Sequence, residues 1–388
     1  MPGGVKGVRK GLSFAGRRNW VESEGRLGLM ELSMNSTTFA RRALLVALAG
    51  VALETSPLLC AQPPAPNAAQ SDSATASDAT LKAVAAAKGF LATIDESQRA
   101  KGVFAFSDDV QRRNWSNLPS GIYKRAGLRL GELSPVQRAA ALKALEATLS
   151  SRGYHKVMEI VEADQVLKEG SRGGPKFGRD EFYISILGEP SAKDPWMLQF
   201  GGHHLALNVT IAGRHGVLTP SLTAAQPAAY MVDGRLVRPL GEENDAAFAL
   251  VNSLDGAQRA QAILGSEVRD LVLGPGRDGR TIQPEGVKAD TFTESQKAML
   301  LDLVGKWVNI INDRDAAAKM AEVKSQLPET YFAWSGSTNN GSAAYFRVQG
   351  PSLVIEYAPQ GLGGILTNHI HTIYRDPNND YGKKYLAK

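Results

Sequence analysis

The spacing of apolar side chains changes character along this chain, and that change limits the fold more than any other feature. Up to about residue 168 apolar positions recur at the helical period. From residue 181 onward aromatic and β-branched residues gather in short runs separated by glycine, proline and asparagine, apart from a helical stretch near residues 293–327. A helix is expected over residues 80–100, ending before Gly102. Ser134 and Pro135 suit the N-cap and first position of a second helix, with Val136, Ala139, Ala140, Leu142 and Leu145 inward until Ser151, Arg152 and Gly153 stop it. A third is expected over 154–168, with Val157, Ile160, Val161 and Val166 inward.

Strands are expected over 181–187 and 196–211, and 229–232 with 235–237 read as a hairpin about Asp233 and Gly234. Helices return over 242–253 and 256–264, followed by a Pro/Gly-rich loop at 274–286. Thr293, Glu294, Ser295 and Gln296 come close to a capping box. They open the longest helical stretch, through Leu300, Leu303, Val304, Trp307, Val308 and Ile311, with a break at Asn312 and Asp313. The tail reads as a meander over 330–334, 343–348, 353–357 and 366–374. Long helices and a helical N-terminal third beside a largely antiparallel sheet predict an α+β fold in a single large domain.

Residues 1–80 stand apart from that pattern. Residues 34–61 run from a short polar start through Arg41 and Arg42 to an apolar stretch at 43–53 and then to prolines, the order of a secretory signal. The apolar stretch is shorter than the about 20 residues a membrane span needs. Cleavage is expected within a few residues of Ala61, giving a periplasmic or secreted protein with no span left. Residues 1–33 read as an upstream extension. Residues 62–80, rich in Pro, Ala, Ser and Asp, read as a linker too poor in large apolar side chains to order itself, so the folded domain is expected over 81–388. The arginine pair also loosely resembles a twin-arginine signal, with Ala40 where a polar residue is usual.

Charge and cysteine exclude several function classes. The chain has 44 Lys and Arg against 39 Asp and Glu, of which 8 and 4 lie in residues 1–61, so 36 and 35 remain in the rest. A near-neutral chain without a basic cluster is not expected to bind nucleic acid, which needs cations to displace phosphate counterions. The single cysteine, Cys60, lies within the segment expected to be removed. Disulfides, thiolate metal sites and cysteine nucleophiles are therefore not expected.

Histidine is scarce, with six in the chain, yet four fall in two tight groups: His203 with His204 after a double glycine, and His369 with His371. In a strand, residues i and i+2 share a face, so His369 and His371 would present two imidazoles side by side at chelating distance. Such a pair suits Zn²⁺, Cu²⁺ or Fe²⁺. Adjacent strand residues face opposite ways, so one of His203 and His204 would supply a third ligand. The face of His203 continues as Leu205, Leu207, Val209 and Ile211 and looks like core. The face of His204 continues as Ala206, Asn208 and Thr210 and looks polar, which favours His204.

Carboxylates come next. Glu356 interrupts the apolar run 353–357, and a buried carboxylate is costly unless paired, ligating or catalytic. It is a candidate general base, with an outward-facing strand position as the alternative. The polar segment after the last histidine, including Arg375, Asp376 and Asp380, suits orienting a ligand imidazole or touching substrate. Arg347, like Arg113, Trp115 and Trp334, is a possible pocket residue. The glycine loop at 361–364 lacks a P-loop lysine, and no Gly-x-Ser-x-Gly elbow is present.

The phrases GGHHLALN (201–208), LTPSL (218–222), RPLGEEND (238–245), HIHTIYRDPNNDYG (369–382) and RRNWSNLP (112–119) together resemble the bacterial and fungal family known as domain of unknown function 3500. The resemblance runs from about residue 85 to the end. It implies a single unit and not a fusion of familiar modules, and it names neither substrate nor metal. The residues themselves lead to two expectations: an exported enzyme with a zinc or copper ion held by histidines and acting on a small molecule, or a periplasmic metal- or small-molecule-binding protein without turnover.

Overall fold

The computed structural model describes residues 76–361 and 364–386. The expected upstream extension, leader and nearly all of the linker lie outside the described residues. The folded part is already helical at Asp78, where α1 (Asp78–Leu91) starts behind the N-cap Ser77, whose hydroxyl accepts from the Thr80 amide. The helix expected over 80–100 is two helices. Asp95 caps the second, α2 (Glu96–Gly102), in a capping box with Gln98, and that local hydrogen-bond pair restarts the chain in a new direction.

Strand β1 (Val103–Phe104), helix α3 (Asp109–Arg112) and strand β2 (Leu128–Arg129) lead to α4 (Pro135–Glu146), which has the expected Ser134 cap with Gln137 completing a capping box. Its buried stripe differs from the expected one. Ala141, Ala144 and Leu145 are inward and Val136 is exposed, because α4 shares its core with the small residues Ala83 and Ala87 of α1. Close packing of two alanine faces outweighs the size of a single valine.

The next helix, α5 (Ser151–Gly170), starts before Tyr154 and contains Gly153, the glycine expected to stop the preceding helix. A Cβ on Gly153 would meet the Ile310 carbonyl oxygen, carbon and Cα, the nearest at 2.1 Å. The glycine is there for that approach and not for a break.

The strands then form one sheet: β3 (Tyr183–Leu187), β4 (Trp196–Gly202), β5 (Leu205–Ala212), β6 (His215–Val217) and β7 (Ser221–Ala225) come first. After the separate hairpin β8 (Tyr230–Val232) and β9 (Arg235–Val237) come helices α6 (Gly241–Ser253) and α7 (Gly256–Ala262) and strand β10 (Val287–Lys288). The expected capping box at Thr293 and Gln296 opens α8 (Glu294–Val308), and Asn312 caps α9 (Asp313–Ser325). The expected meander follows as β11 (Tyr331–Gly336), β12 (Ala344–Gly350), β13 (Leu353–Pro359) and β14 (Ile370–Arg375). The main path is β1-β3-β4-β5-β7-β14-β13-β12-β11-β10, antiparallel throughout except for the β1·β3 pair. The fold is α+β, as expected.

The sheet has two unlike faces. One carries Leu205, Leu207, Val209, Ile211, Ile355 and Tyr374 into a large core with Val157 and Ile160 of α5 and Leu303 and Trp307 of α8. The other carries Ala206, Leu222, Ala224 and Ile373 against Trp115, Leu271 and Tyr381, which come from loops. Helices cover the first face and irregular chain covers the second. Loops can bring polar side chains over a strand face at any angle, and the second face is the one that carries His371, paired with Ala224.

Replacing Gly153 by alanine would gain up to about 1 kcal/mol of helix propensity but force a methyl group onto a backbone oxygen. Gly153→Ala is therefore expected to lose about 1–3 kcal/mol net, read from the urea midpoint. A variant as stable as the parent would show that α5 can draw back from Ile310.

Candidate metal centre

The stretch expected as one strand over 196–211 is a hairpin. Gly202 pairs with Leu205, so His203 and His204 form its two-residue turn. A side chain on Gly201 would stand 2.6 Å from the Leu205 carbonyl and one on Gly202 would enter the Phe182 ring, so the double glycine lets the hairpin close at this point. His204 has φ +64°, in the left-handed region that a non-glycine residue adopts at a cost.

Sheet register then carries the turn to the second histidine pair. The His204 carbonyl accepts from the Ala224 amide at 2.8 Å, and Ala224 pairs with His371 of the neighbouring strand. One strand position further on, Leu205 pairs with Thr223 and Thr223 with Thr372. His204 and His371 thus flank Ala224 in one row, and the small alanine leaves the space between them open. His369 lies just before β14 in extended conformation, two residues from His371 and on the same face.

The three imidazoles converge. His204 Nε2 is 2.9 Å from His369 Nε2, which is 3.0 Å from His371 Nε2. A ring nitrogen has one in-plane direction, for either a lone pair or a proton. The His369 nitrogen therefore cannot serve both neighbours by hydrogen bonding. An ion among the three can. The spacing is close to the roughly 3.3 Å between nitrogens that share a tetrahedral zinc at about 2.0–2.1 Å. All three residues are buried, His204 with 2% exposure. Burial, and then the neighbouring imidazoles His203, His371 and His369, hold the His204 ring well below the usual histidine value, so it is neutral and able to ligate. Buried histidines here could hold a metal ion.

His203 stays outside that trio. Its ring stacks on His204 at 3.5 Å between centroids, and its Nδ1 is 2.6 Å from Asp164 Oδ1 of α5. Asp164 is buried and its other oxygen accepts from the Gly178 amide. Burial lowers the His203 value, against the opposing pull of Asp164.

Loop residues complete the surroundings. Arg125 donates to the carbonyls of Ser116, Leu118 and Gly202, tying the 114–119 loop to the hairpin. Burial brings its guanidinium down to about 10, which leaves it charged at neutral pH. The His204 amide donates to the Asn117 carbonyl, and Asn117 Nδ2 lies 3.5 Å from His371 Nδ1, with Asp270 at 3.9 Å. Asp164, Asn117, Arg125 and Asp270 were not foreseen. The one signal for Asn117 was its place in the RRNWSNLP phrase.

Several expected site residues have other work. Glu356 is fully buried on the same face as His371, but its oxygens accept from the Val272 and Leu273 amides and the Tyr345 hydroxyl at 2.7–2.9 Å. It anchors the loop over the sheet, and with three donors on it a role as general base is disfavoured. Arg375 bonds the Leu273 and Gly274 carbonyls, Asp278 and Asp380; Asp376 bonds Lys319; Arg347 bonds Glu285; and Asn208 bonds Gln199 and the Pro220 carbonyl. These contacts fix loops and the C-terminal turn. Trp115 bonds the Tyr381 hydroxyl, and Arg113 is exposed beside Asp109. His155 is an exposed partner of Glu159, and His215 stacks on Tyr385.

Residues 76–383 match the family described as a protein of unknown function, DUF3500, and the chain belongs to that family. No curated protein and no solved structure matches the chain.

The left-handed turn gives a direct comparison of variants. His204→Gly and His204→Ala both remove a ligand and should both lose metal binding. In metal-free protein the glycine variant should be more stable than the alanine variant by about 1 kcal/mol, since alanine keeps the Cβ that opposes a positive φ. Equal urea midpoints would show that the turn is not left-handed at this residue.

Proposed function

We propose that this chain is an exported metal-dependent enzyme in which His204, His369 and His371 hold a zinc or copper ion, with hydrolytic chemistry preferred over copper redox chemistry. The observation that carries the reading is the meeting of three buried Nε2 atoms, from His369 just before β14, His371 within it, and His204 in a hairpin turn 165 residues before His369. A donor set of imidazoles with no thiolate suits zinc and copper. His204, His369 and His371 would hold the ion, which would supply a water of lowered pKa as nucleophile.

The protein's own contribution is orientation and proton handling. Asp164 fixes the His203 ring through Nδ1, the arrangement by which a carboxylate sets an imidazole's tautomer and leaves Nε2 as the acceptor. The role of base, expected for Glu356, is better filled by His203. Substrate is a small molecule reaching the loop-covered face.

Metal analysis of the purified mature protein tests the centre. Close to one transition-metal ion per chain is expected, with loss of that metal in His369→Ala/His371→Ala. A metal-free parent after incubation with zinc or copper, or unchanged content in the double variant, overturns it.

A second reading, a binding protein without turnover, is favoured by the burial of all three ligands. It predicts a saturated coordination sphere and no product across a substrate panel. Cobalt substitution separates the two, because an open site changes its visible spectrum when an anion such as azide is added.

Export is supported by the order of residues 34–61. Intact-mass measurement of protein recovered from the periplasm of a bacterial host is expected to place the N-terminus within a few residues of Gln62. Recovery in the cytosol with residues 34–61 retained would refute export.

A further inference from the structure

Three segments distant in sequence, 109–113, 273–281 and 375–386, line a partly open cavity of 530 Å³. That volume is within the roughly 300–1,000 Å³ of small-molecule sites. Its floor is prepared by a buried network. Arg375 is fixed by the Leu273 and Gly274 carbonyls and by Asp278 and Asp380, while the Tyr381 hydroxyl donates to Asp278 and accepts from Trp115 Nε1.

The lining holds five cations, Arg112, Arg113, Arg280, Arg375 and Lys383, against three carboxylates, Asp109, Asp278 and Asp380. Asp278 and Asp380 balance Arg375, and Asp109 is shared by Arg112 and Arg113. Arg280 has no ion-pair partner among the described residues, and Lys383 reaches a carbonyl, that of Pro377, and no carboxylate. The buried Nε of Arg112 also lacks a hydrogen-bond partner among the described residues. Two positive charges are thus left over in a concave site, although residues 62–388 as a whole carry 36 basic against 35 acidic side chains, and low-dielectric walls strengthen the field there. Leu273, Pro377 and Leu386 supply an apolar wall.

We infer that this cavity binds a small organic dianion, a dicarboxylate or a phosphate monoester, with its oxyanion groups between Arg280 and Lys383 and its carbon skeleton against Leu273 and Leu386. Guanidinium groups match the planar paired oxygens of either class. The site is separate from the histidine centre. Arg375 is four residues beyond His371, about 13 Å along one strand face, and the loop that Glu356 holds by the Val272 and Leu273 amides lies over that face.

Calorimetric titration of the mature protein with succinate, citrate, glycerol phosphate and inorganic phosphate tests the inference. Binding that weakens with added salt is expected for at least one probe. It should fall by about tenfold, or about 1.4 kcal/mol, in Arg280→Gln/Lys383→Gln, and further in Arg280→Glu/Lys383→Glu. Both residues are exposed, so these variants should fold. Preference for succinate or citrate identifies a dicarboxylate ligand; preference for the phosphates identifies a phosphate ester. Chelator treatment should leave the affinity unchanged. The inference fails if no probe binds, if the variants bind like the parent, or if chelation abolishes binding, since the anion would then be at the histidines.

Discussion

The backbone hydrogen bond from the Ala224 amide to the His204 carbonyl joins a hairpin turn to the middle of the sheet, and the candidate centre depends on it. It extends the β5·β7 pairing by one step past Leu205 and Thr223, to the position where β7 meets His371 of β14. A slip of one residue in either ladder would turn His371 toward the helices and leave His204 facing a strand without a partner. The register is secured from the helical side. Trp307 of α8 donates to the Thr372 hydroxyl, which donates in turn to the Thr223 carbonyl, so the row beside the histidines is pinned across two strands.

Much of this was legible in sequence because it follows from local rules. Period-two alternation put His369 and His371 on one face, and parity along 204, 206 and 208 chose His204 over His203 as the ligand. The structure brings His204 Nε2 to 2.9 Å from His369 Nε2 even though His204 is in a turn. Its own face continues into Ala206, which packs with Ile373 of β14. The turn itself was not legible, because the usual signals for a two-residue hairpin are asparagine or glycine at positive φ and this chain uses a histidine. The double glycine was the available clue. Its purpose, clearance for the Leu205 carbonyl and the Phe182 ring, depends on atoms that only the fold assembles. Likewise Gly153 read as a helix stop from sequence alone, since the Ile310 carbonyl it accommodates is far away along the chain.

The polar residues of the tail were harder still. Arg375, Asp376 and Asp380 were expected near the ligand histidines because they follow them closely in sequence. Strand geometry separates them. Each two-residue step along β14 adds nearly 7 Å, so Arg375 is well removed from His371 and meets the 273–278 loop instead. The residues that do adjoin the histidines, Asp164, Asn117 and Asp270, come from a helix and two loops distant in sequence. Nothing in their neighbours' spacing distinguishes them from ordinary helix or loop residues. Glu356 shows the same limit in reverse. Its burial was one of two open readings, and whether a buried carboxylate is a base or an anchor is decided by its donors, here two loop amides and a tyrosine.

Strain at His204 is the most informative cost in the site. The residue adopts a left-handed conformation, is almost fully buried, and has its ring held neutral by burial and like neighbours. The left-handed backbone opposes folding at any pH, the lowered ring value opposes it only below the ordinary histidine range, and glycine at the same position would relieve the backbone cost without disturbing the hairpin. What the histidine adds is a nitrogen at the point where two others already meet. An imidazole trio that can satisfy at most one of its two close contacts by a proton gains from a cation that satisfies all three, and the gain from such an ion is available to offset both strain and burial. Were an ion held there, the metal-free fold would be the less stable form, and the hairpin turn at His204 would be the segment most affected by its loss.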